Sequence, residues 1–179
     1  MILTSFDEEL ATFLKCRRKL VLVGIGNRMR RDDGIGTRII TSLKGKVPSD
    51  VELLDGGTVP ENYISIIKKA GPSHAIFIDA VDMHAKPGFF GFIDEETLVS
   101  GSISTHKQSL KMLFLVLRDG VDDINIRLVG VQPKNIEFGI GLTAPLRRSL
   151  KLLQATLVNA LEGQENEDNR MEGRRGLHN

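Results

Sequence analysis

Apolar residues along the chain fall into two kinds of run. Short continuous runs rich in β-branched residues are typical of strands buried in a parallel sheet. They occupy residues 20–26, 51–54 and 75–79, with a further alternating run at 124–131. Between them, apolar residues recur every three or four positions, which predicts amphipathic helices. These predicted helices cover residues 5–18, 34–44, 61–70, 108–117 and 143–161.

Two segments depart from this alternation. Residues 88–93 follow a proline-containing turn and alternate irregularly, which predicts an additional strand at the edge of the sheet. Residues 163–179 are polar and poor in apolar anchors, which predicts a flexible tail. The sequence therefore predicts a single α/β domain over residues 1–162, with an N-terminal helix within residues 1–18, followed by the tail.

The regular alternation of strands and helices defines the expected architecture. It predicts one three-layer α/β/α domain with a mostly parallel, doubly wound sheet. In such sheets ligands bind outside the carboxyl ends of the strands, at the point where the strand order reverses. Three predicted strands end in acidic or glycine-rich segments, at residues 24–33, 55–58 and 79–82. We therefore expect the functional site among these three segments.

Composition narrows the classes of function. Hydrophobic residues make up 41% of the chain, charged residues 26%, and the net charge is +1, which argues against a nucleic-acid partner. No run approaches the ~18 apolar residues of a membrane span, so we expect a protein that is not membrane-inserted. The N-terminal segment is acidic where a signal peptide is basic, and the single cysteine fits a reducing cytosol. These features predict a cytoplasmic protein.

The first glycine-rich segment resembles a dinucleotide-binding motif only in part. Gly24 and Gly26 directly follow a strand, but the third glycine of such a motif would stand where this chain has Met29. Asp32 and Asp33 would also place two carboxylates at the start of a helix, where they would repel a pyrophosphate. We therefore expect no nucleotide cofactor, and a nucleotide-binding enzyme is kept only as the alternative.

Asp32 and Asp33 have a structural interpretation as well. Either carboxylate could cap the helix that follows. Capping does not explain a second carboxylate, nor the glycines on both flanks of the segment. Those glycines indicate that a ligand or substrate approaches the backbone closely.

Asp79 and His106 stand at two further junctions between loops and regular elements. Asp79 ends an apolar strand, where a carboxylate is costly unless it is paired, hydrogen-bonded or bound to a cation. Taken singly, capping or surface exposure explains each residue. Together with Asp33 they would meet at one edge of the sheet, and two carboxylates with an imidazole suit nickel, zinc or manganese. The spacing does not choose among these metals.

Other residues could compete for a catalytic role. His84 lies near Asp79 in sequence but falls in a predicted exposed turn. Ser102 or Ser104 with His106 could mimic a serine-hydrolase triad, although no strand-to-helix GxSxG turn surrounds either serine. Cys16 precedes the first strand, far from the strand ends, and is interpreted as a packing residue.

The segment Asp55, Gly56, Gly57, Thr58 closes the second predicted strand. Its glycines would leave the backbone open to a substrate. The competing interpretation is a tight turn in which Asp55 or Thr58 caps the next helix.

The order of these motifs resembles that of the hydrogenase maturation proteases, over about residues 19–145. Six segments carry the resemblance: GIGN at 24–27, DDGIG at 32–36, DGGT at 55–58, DA at 79–80, STH at 104–106 and VGVQP at 129–133. The resemblance implies a phosphorylase/hydrolase-like α/β fold. The N-terminal helix and residues 132–137 look most like an archaeal-type branch that processes membrane-bound hydrogenases.

The resemblance also implies an activity. Such proteins are nickel-dependent endopeptidases, of aspartyl type, that remove a C-terminal extension from a nickel-iron hydrogenase large-subunit precursor. Two acidic residues and a histidine bind nickel that the precursor already carries, and they map to Asp33, Asp79 and His106 as metal-binding and catalytic residues. Residues 55–58 would steady the substrate backbone. The partner is then the precursor, and we expect a monomer.

One position departs from the family pattern. Many members carry glutamate where this chain has Asp33, whose side chain is shorter by one methylene. Either the loop approaches the metal more closely here, or neighbouring Asp32 shares the role. A non-catalytic chaperone that only holds the precursor is a further alternative.

Overall fold

The computed structural model describes residues 5–94 and 107–175. In this part of the chain, a five-stranded sheet forms the centre of the protein. Its strands are β1 (Leu20–Ile25), β2 (Val51–Gly57), β3 (His74–Ala80), β4 (Phe90–Ile93) and β5 (Asn125–Val131). Their order is β2-β1-β3-β5-β4, and only β4 runs antiparallel to its neighbour. The mostly parallel sheet predicted from the sequence is confirmed, with residues 88–93 supplying its antiparallel edge strand.

Helices cover both faces of this sheet. They are α1 (Phe6–Phe13), α2 (Ile35–Leu43), α3 (Ile64–Ala70), α4 (Lys107–Gly120) and α5 (Ala144–Arg175), with short 3-10 helices at Arg31–Gly34 and Pro60–Tyr63. One core packs α1, α2 and α5 against the sheet, and a second core packs α3 and α4 against its opposite face. This is the predicted three-layer α/β/α arrangement. No helix of the described residues is both long and apolar enough to cross a membrane.

The strands β1 and β3 pair with each other in the interior of the sheet. Every residue in both strands is buried, which matches their continuous apolar sequences. From β1 the chain passes through α2 to β2 on one side. From β3 it continues to β5 on the other side. The two connections therefore diverge between the carboxyl ends of β1 and β3, which is the switch point where ligands bind in doubly wound sheets.

Two helix ends differ from the sequence prediction. The first helix was expected to reach residue 18, but α1 ends at Phe13, and Cys16 then adopts a left-handed backbone with φ 59°. The last helix was expected to end at residue 161, but α5 continues to Arg175. Helix propensity in the polar residues beyond 163 was underestimated. The predicted flexibility of residues 163–179 stays a prediction.

The start of α2 lies directly against the carboxyl ends of the central strands. A Cβ added at Gly36 would overlap the carbonyl oxygen of Ile78 and lie 2.5 Å from that of Ile25. Only glycine lets the helix backbone come this close to both strands. This contact fixes the 3-10 helix Arg31–Gly34, which directly precedes α2, above the switch point.

We expect Gly36→Ala to lower the free energy of unfolding by about 3 kcal/mol, because the added methyl group meets backbone that cannot move aside. Gly163→Ala is the matched control, since its added methyl group meets open space on helix α5. The control should be neutral or stabilising by up to about 1 kcal/mol. Urea denaturation of both variants measures the difference, and equal midpoints would contradict the packing argument.

Candidate functional site

Asp33 lies on the 3-10 helix that follows β1, and it is buried. Its Oδ2 accepts a hydrogen bond of 2.8 Å from the backbone N–H of Asn27, which closes the loop upon itself. Within the described residues, no hydrogen bond reaches Oδ1. The carboxylate is therefore held in place by one oxygen while the other is left for a further partner.

Asp79 is fully buried near the carboxyl end of β3. Its Oδ1 accepts a hydrogen bond of 2.8 Å from the N–H of Ala80. Alternation along the strand places Asp79 on the same face as Phe77. Helix α4 packs on that face, where the rings of Phe77 and Phe114 lie 4.9 Å apart.

The third predicted ligand, His106, lies outside the described residues. In sequence it directly precedes Lys107, the first residue of α4. Among the described residues, no group of three or more histidine, cysteine, aspartate or glutamate side chains is placed to hold a metal ion. The predicted set of Asp33, Asp79 and His106 therefore stays a prediction as a metal site.

A cleft of about 340 Å³ opens at the switch point. Asp33, Ala80 and Asp82 line one part of it, and residues 132–136 of the loop after β5 line the rest. Asp79 is not itself at the surface of the cleft, but its neighbour Ala80 is. The structure thus brings the ends of β1, β3 and β5 together around one acidic opening.

Gln132 shapes this cleft, a role that the sequence interpretation did not assign to it. Its Oε1 accepts hydrogen bonds from the N–H groups of Met83, at 2.7 Å, and Ala85, at 3.2 Å. Its Nε2 donates to Asp82 Oδ1 at 3.1 Å. A buried glutamine directly after a strand was the available signal, because such an amide needs several partners.

Asp82 contributes a fixed negative charge to the rim of the cleft. The backbone N–H of His84 and the side-chain amide of Gln132 both donate to its carboxylate and hold its pKa below the ordinary value. Donors that favour the charged form of a carboxyl group act in this direction. The cleft is therefore lined by carboxylates from two strand ends.

Asp32 has a different role from Asp33. It is fully buried, and its two oxygens accept four hydrogen bonds, from the N–H groups of Lys134, Asn135 and Thr143 and from the Thr143 hydroxyl, at 2.7 to 2.9 Å. The residue ties the loop after β1 to the chain after β5. Because a metal would have to displace these donors, the geometry disfavours the expectation that Asp32 shares the role of Asp33.

The segment 55–58 lies on the far side of the β1 loop and does not line the cleft. Asp55 is exposed and accepts a hydrogen bond of 2.8 Å from Arg28. Gly56 is buried against β1, and the carbonyl of Gly57 accepts from the N–H of Gly26 at 2.8 Å. Thr58 is exposed. Only Asp55 and Thr58 of this segment therefore have side chains open to a partner.

The glycines of the β1 loop serve the protein's own packing. A Cβ at Gly26, whose φ is +129°, would overlap the carbonyl of Asp33, and one at Gly24 would overlap that of Gly36. Internal packing therefore accounts for these glycines without a ligand, and their role in admitting one stays a prediction. The N–H of Asn27, a donor that a phosphate could use, is taken by Asp33. This arrangement gives the nucleotide-binding alternative no support.

The competing catalytic candidates find little support. His84 is exposed in a turn with φ 54°, and its Nδ1 lies 3.7 Å from Asp82. Cys16 is exposed in the turn before β1, so its interpretation as a packing residue is wrong. It stands before the amino end of that strand, away from the cleft. Ser102 and Ser104 lie outside the described residues.

Fold and site together define an α/β protein whose acidic cleft lies at the switch point of a doubly wound sheet. Residues 37–160 match the model of the hydrogenase maturation protease family. The chain belongs to this family. The family resemblance and the fold inferred from the sequence motifs are thereby confirmed.

Named relatives agree with this assignment. The hydrogenase 2 maturation protease of Escherichia coli is 35% identical over 150 residues, which cover 80% of this chain and 90% of that protein. The crystal structure of the NiFe hydrogenase maturation protease HycI from Thermococcus kodakarensis aligns with a TM-score of 0.73 at 25% identity, covering 86% of this chain and 99% of that one. The hydrogenase maturating endopeptidase HybD from Escherichia coli aligns with a TM-score of 0.69 at 29% identity, covering 81% and 93%.

We expect Asp32→Asn to destabilise the protein by about 3 kcal/mol, because an amide removes the charge and turns one acceptor into a donor facing other donors. Asp55→Asn is the matched control, since its exposed pair with Arg28 contributes at most about 1 kcal/mol. Urea denaturation measures both. A loss at Asp32 no larger than at Asp55 would contradict the clamping role.

Proposed function

We propose that the protein is an endopeptidase that removes the C-terminal extension of a nickel-iron hydrogenase large-subunit precursor after nickel has been inserted. Membership of the hydrogenase maturation protease family supports the reaction class. The observation that carries the proposal is the pair of buried carboxylates, Asp33 and Asp79, at the carboxyl ends of adjacent strands beside an open cleft.

In this proposal the nickel belongs to the substrate and is recognised by Asp33, Asp79 and His106. Carboxylate oxygens and an imidazole suit a borderline divalent ion. Two observations support the assignment. Asp33 Oδ1 has no hydrogen-bond donor among the described residues, and α4, the helix that follows His106 in sequence, packs on the face of the sheet that carries Asp79.

The proposed reaction is hydrolysis of one peptide bond close to the substrate metal. The metal and the two carboxylates position a water and polarise the scissile carbonyl, which are the activated-water and Lewis-acid roles of metal catalysis. Gln132 keeps the loop of Asp82 in place through its amide, so that the wall of the cleft is formed before the substrate binds. Asp55 and Thr58, the exposed side chains of the second segment, would steady the substrate backbone.

Recognition of nickel carried by the substrate would also explain why cleavage occurs only after metal insertion. A precursor without nickel lacks the group that Asp33 and Asp79 bind, so the scissile bond is not held in the cleft. Catalysis then depends on positioning, and a displacement of about 1 Å can cost about a hundredfold in rate. The carboxylates would in this way report that the precursor is loaded.

We expect Asp79→Asn and Asp33→Asn to slow cleavage of a nickel-loaded precursor by at least about a hundredfold, since even outer-shell changes at metal sites cost ten- to a hundredfold. His106→Ala should have a similar effect. The measurement is mass spectrometry of the large subunit after incubation, with nickel-loaded and nickel-free precursor in parallel. Nickel-free precursor should remain uncut.

Two control variants make this experiment specific. Asp119→Asn changes an exposed aspartate near the end of α4 and should leave the rate unchanged. Asp33→Glu should retain activity, because it keeps the carboxylate that many family members carry at this position. Normal cleavage by Asp79→Asn would rule out the site, whereas binding of the precursor without any loss of mass would favour a chaperone.

A further inference from the structure

A second cavity, of about 600 Å³, lies behind the loop that carries Asp33. It is formed between α2 and the first turns of α5, and four arginines line it: Arg28, Arg31, Arg38 and Arg147. Its lining, as far as the described residues show it, contains no carboxylate. Of the arginines, Arg28 is paired with a carboxylate, that of Asp55 at 2.8 Å. We call this cavity the arginine pocket.

Two of these arginines have no partner in the part of the chain that the structure describes. Within residues 5–94 and 107–175, neither the Arg31 nor the Arg38 guanidinium forms an ion pair or side-chain hydrogen bond, and the buried Nε of each lacks an acceptor. A shielded charged donor without a partner is costly. Two such groups beside one cavity are typical of a site that an anion completes.

The backbone holds Arg31 in this position at a cost. Its φ of 45° is in the left-handed region, which non-glycine residues rarely adopt. Its N–H donates to the carbonyl of Gly139 at 2.9 Å, and a Cβ at Gly139 would lie 2.7 Å from its Nε. Glycine at 139 therefore leaves room for the guanidinium beside the pocket.

An exposed apolar loop joins the acidic cleft to the arginine pocket. Ile136 lines the cleft and Ile140 lines the arginine pocket. Between them in sequence, the ring of Phe138 lies 5.9 Å from the guanidinium carbon of Arg30. Phe138 and Ile140 are 80% and 81% exposed. Large apolar side chains this exposed at the edge of two cavities are typical of surfaces that bind peptide.

We propose that the arginine pocket binds a carboxylate of the substrate's C-terminal extension, and that the extension reaches it from the cleft across residues 136–140. This inference rests on the proposed function, which places the scissile bond in the cleft. Guanidinium groups bind carboxylates through paired, charge-assisted hydrogen bonds. The carboxylate that accepts these hydrogen bonds belongs to an acidic side chain of the extension or is its terminal carboxylate.

The surroundings favour a peptide over a small free anion. The volume of the arginine pocket exceeds what one inorganic ion fills, and Leu142 and Leu150 add apolar surface beside the charges. A phosphate would use only the guanidinium groups. A peptide would use those groups together with the apolar loop 136–140.

Binding of model peptides tests this site without requiring catalysis. The first probe is a short fluorescein-labelled peptide of leucine, alanine and glutamate with a free C-terminus. The second replaces glutamate by glutamine and ends in an amide, and the third is inorganic phosphate used as a competitor. Fluorescence anisotropy should show that the acidic peptide binds and that the glutamine peptide with the amide end does not. Phosphate should displace the acidic peptide only weakly.

Two arginine variants locate the binding. Arg38→Gln should weaken binding of the acidic peptide about tenfold or more, as the loss of charge-assisted hydrogen bonds would. Arg148→Gln, one residue beyond Arg147 and exposed, should not change it. Equal affinities in both variants would overturn the proposal. Phosphate binding as tightly as the acidic peptide would also overturn it, in favour of a small-anion site.

The outcome is separable from that of the proposed function. Asp79→Asn should bind the acidic peptide normally although it does not cleave the precursor. Arg38→Gln should raise KM for the nickel-loaded precursor with little effect on kcat, because Arg38 lines the pocket that holds the extension and does not line the cleft that holds the scissile bond. If Arg38→Gln cleaves with an unchanged KM, the arginine pocket has no role in substrate binding even though the protease assignment stands.

Discussion

The carboxylate of Asp32 is the interaction on which the arrangement around the cleft depends. A fully buried charge in this position would be unfavourable on its own, yet four donors surround it. Those donors come from residues more than a hundred positions away in the chain. One side chain therefore fixes the loop after β1, the loop after β5 and the approach to α5 relative to one another. Both walls of the acidic cleft, and one wall of the arginine pocket, are held by this contact.

The close packing of α2 on the sheet provides the second constraint. Because Gly36 lets the helix lie directly on the ends of β1 and β3, the short 3-10 helix before it has little freedom. Adjacent aspartates on that turn then point to different surroundings. Asp32 is directed to the chain after β5, and Asp33 to the cleft and to the N–H of Asn27. The chemistry of the site follows from this divergence.

The positions of the strands along the chain could be predicted because apolar runs such as Leu20–Ile25 leave no polar face to expose. The edges of helices were harder, since the end of α1 depends on a left-handed turn at Cys16 and not on any loss of apolar spacing. Sequence also placed Asp33 and Asp79 at one edge of the sheet. It could not separate Asp32 from Asp33, because their roles differ only through contacts with residues distant in sequence. The role of Gln132 and the assembly of the four arginines depend on the same kind of long-range contact.

The loop between the two cavities is held from both sides, by the hydrogen bonds of Asp32 and by the backbone pairing of Arg30 and Arg31 with Gly139. A wall held in this way has few alternative conformations to lose when a partner arrives. Most of the conformational entropy lost on binding is then lost by the partner. The affinity therefore decreases with the number of rotatable bonds that become fixed in the partner. A segment that is short or already extended loses less conformational entropy than a long mobile one. The rigid loop therefore favours partners whose free conformation is close to the bound one.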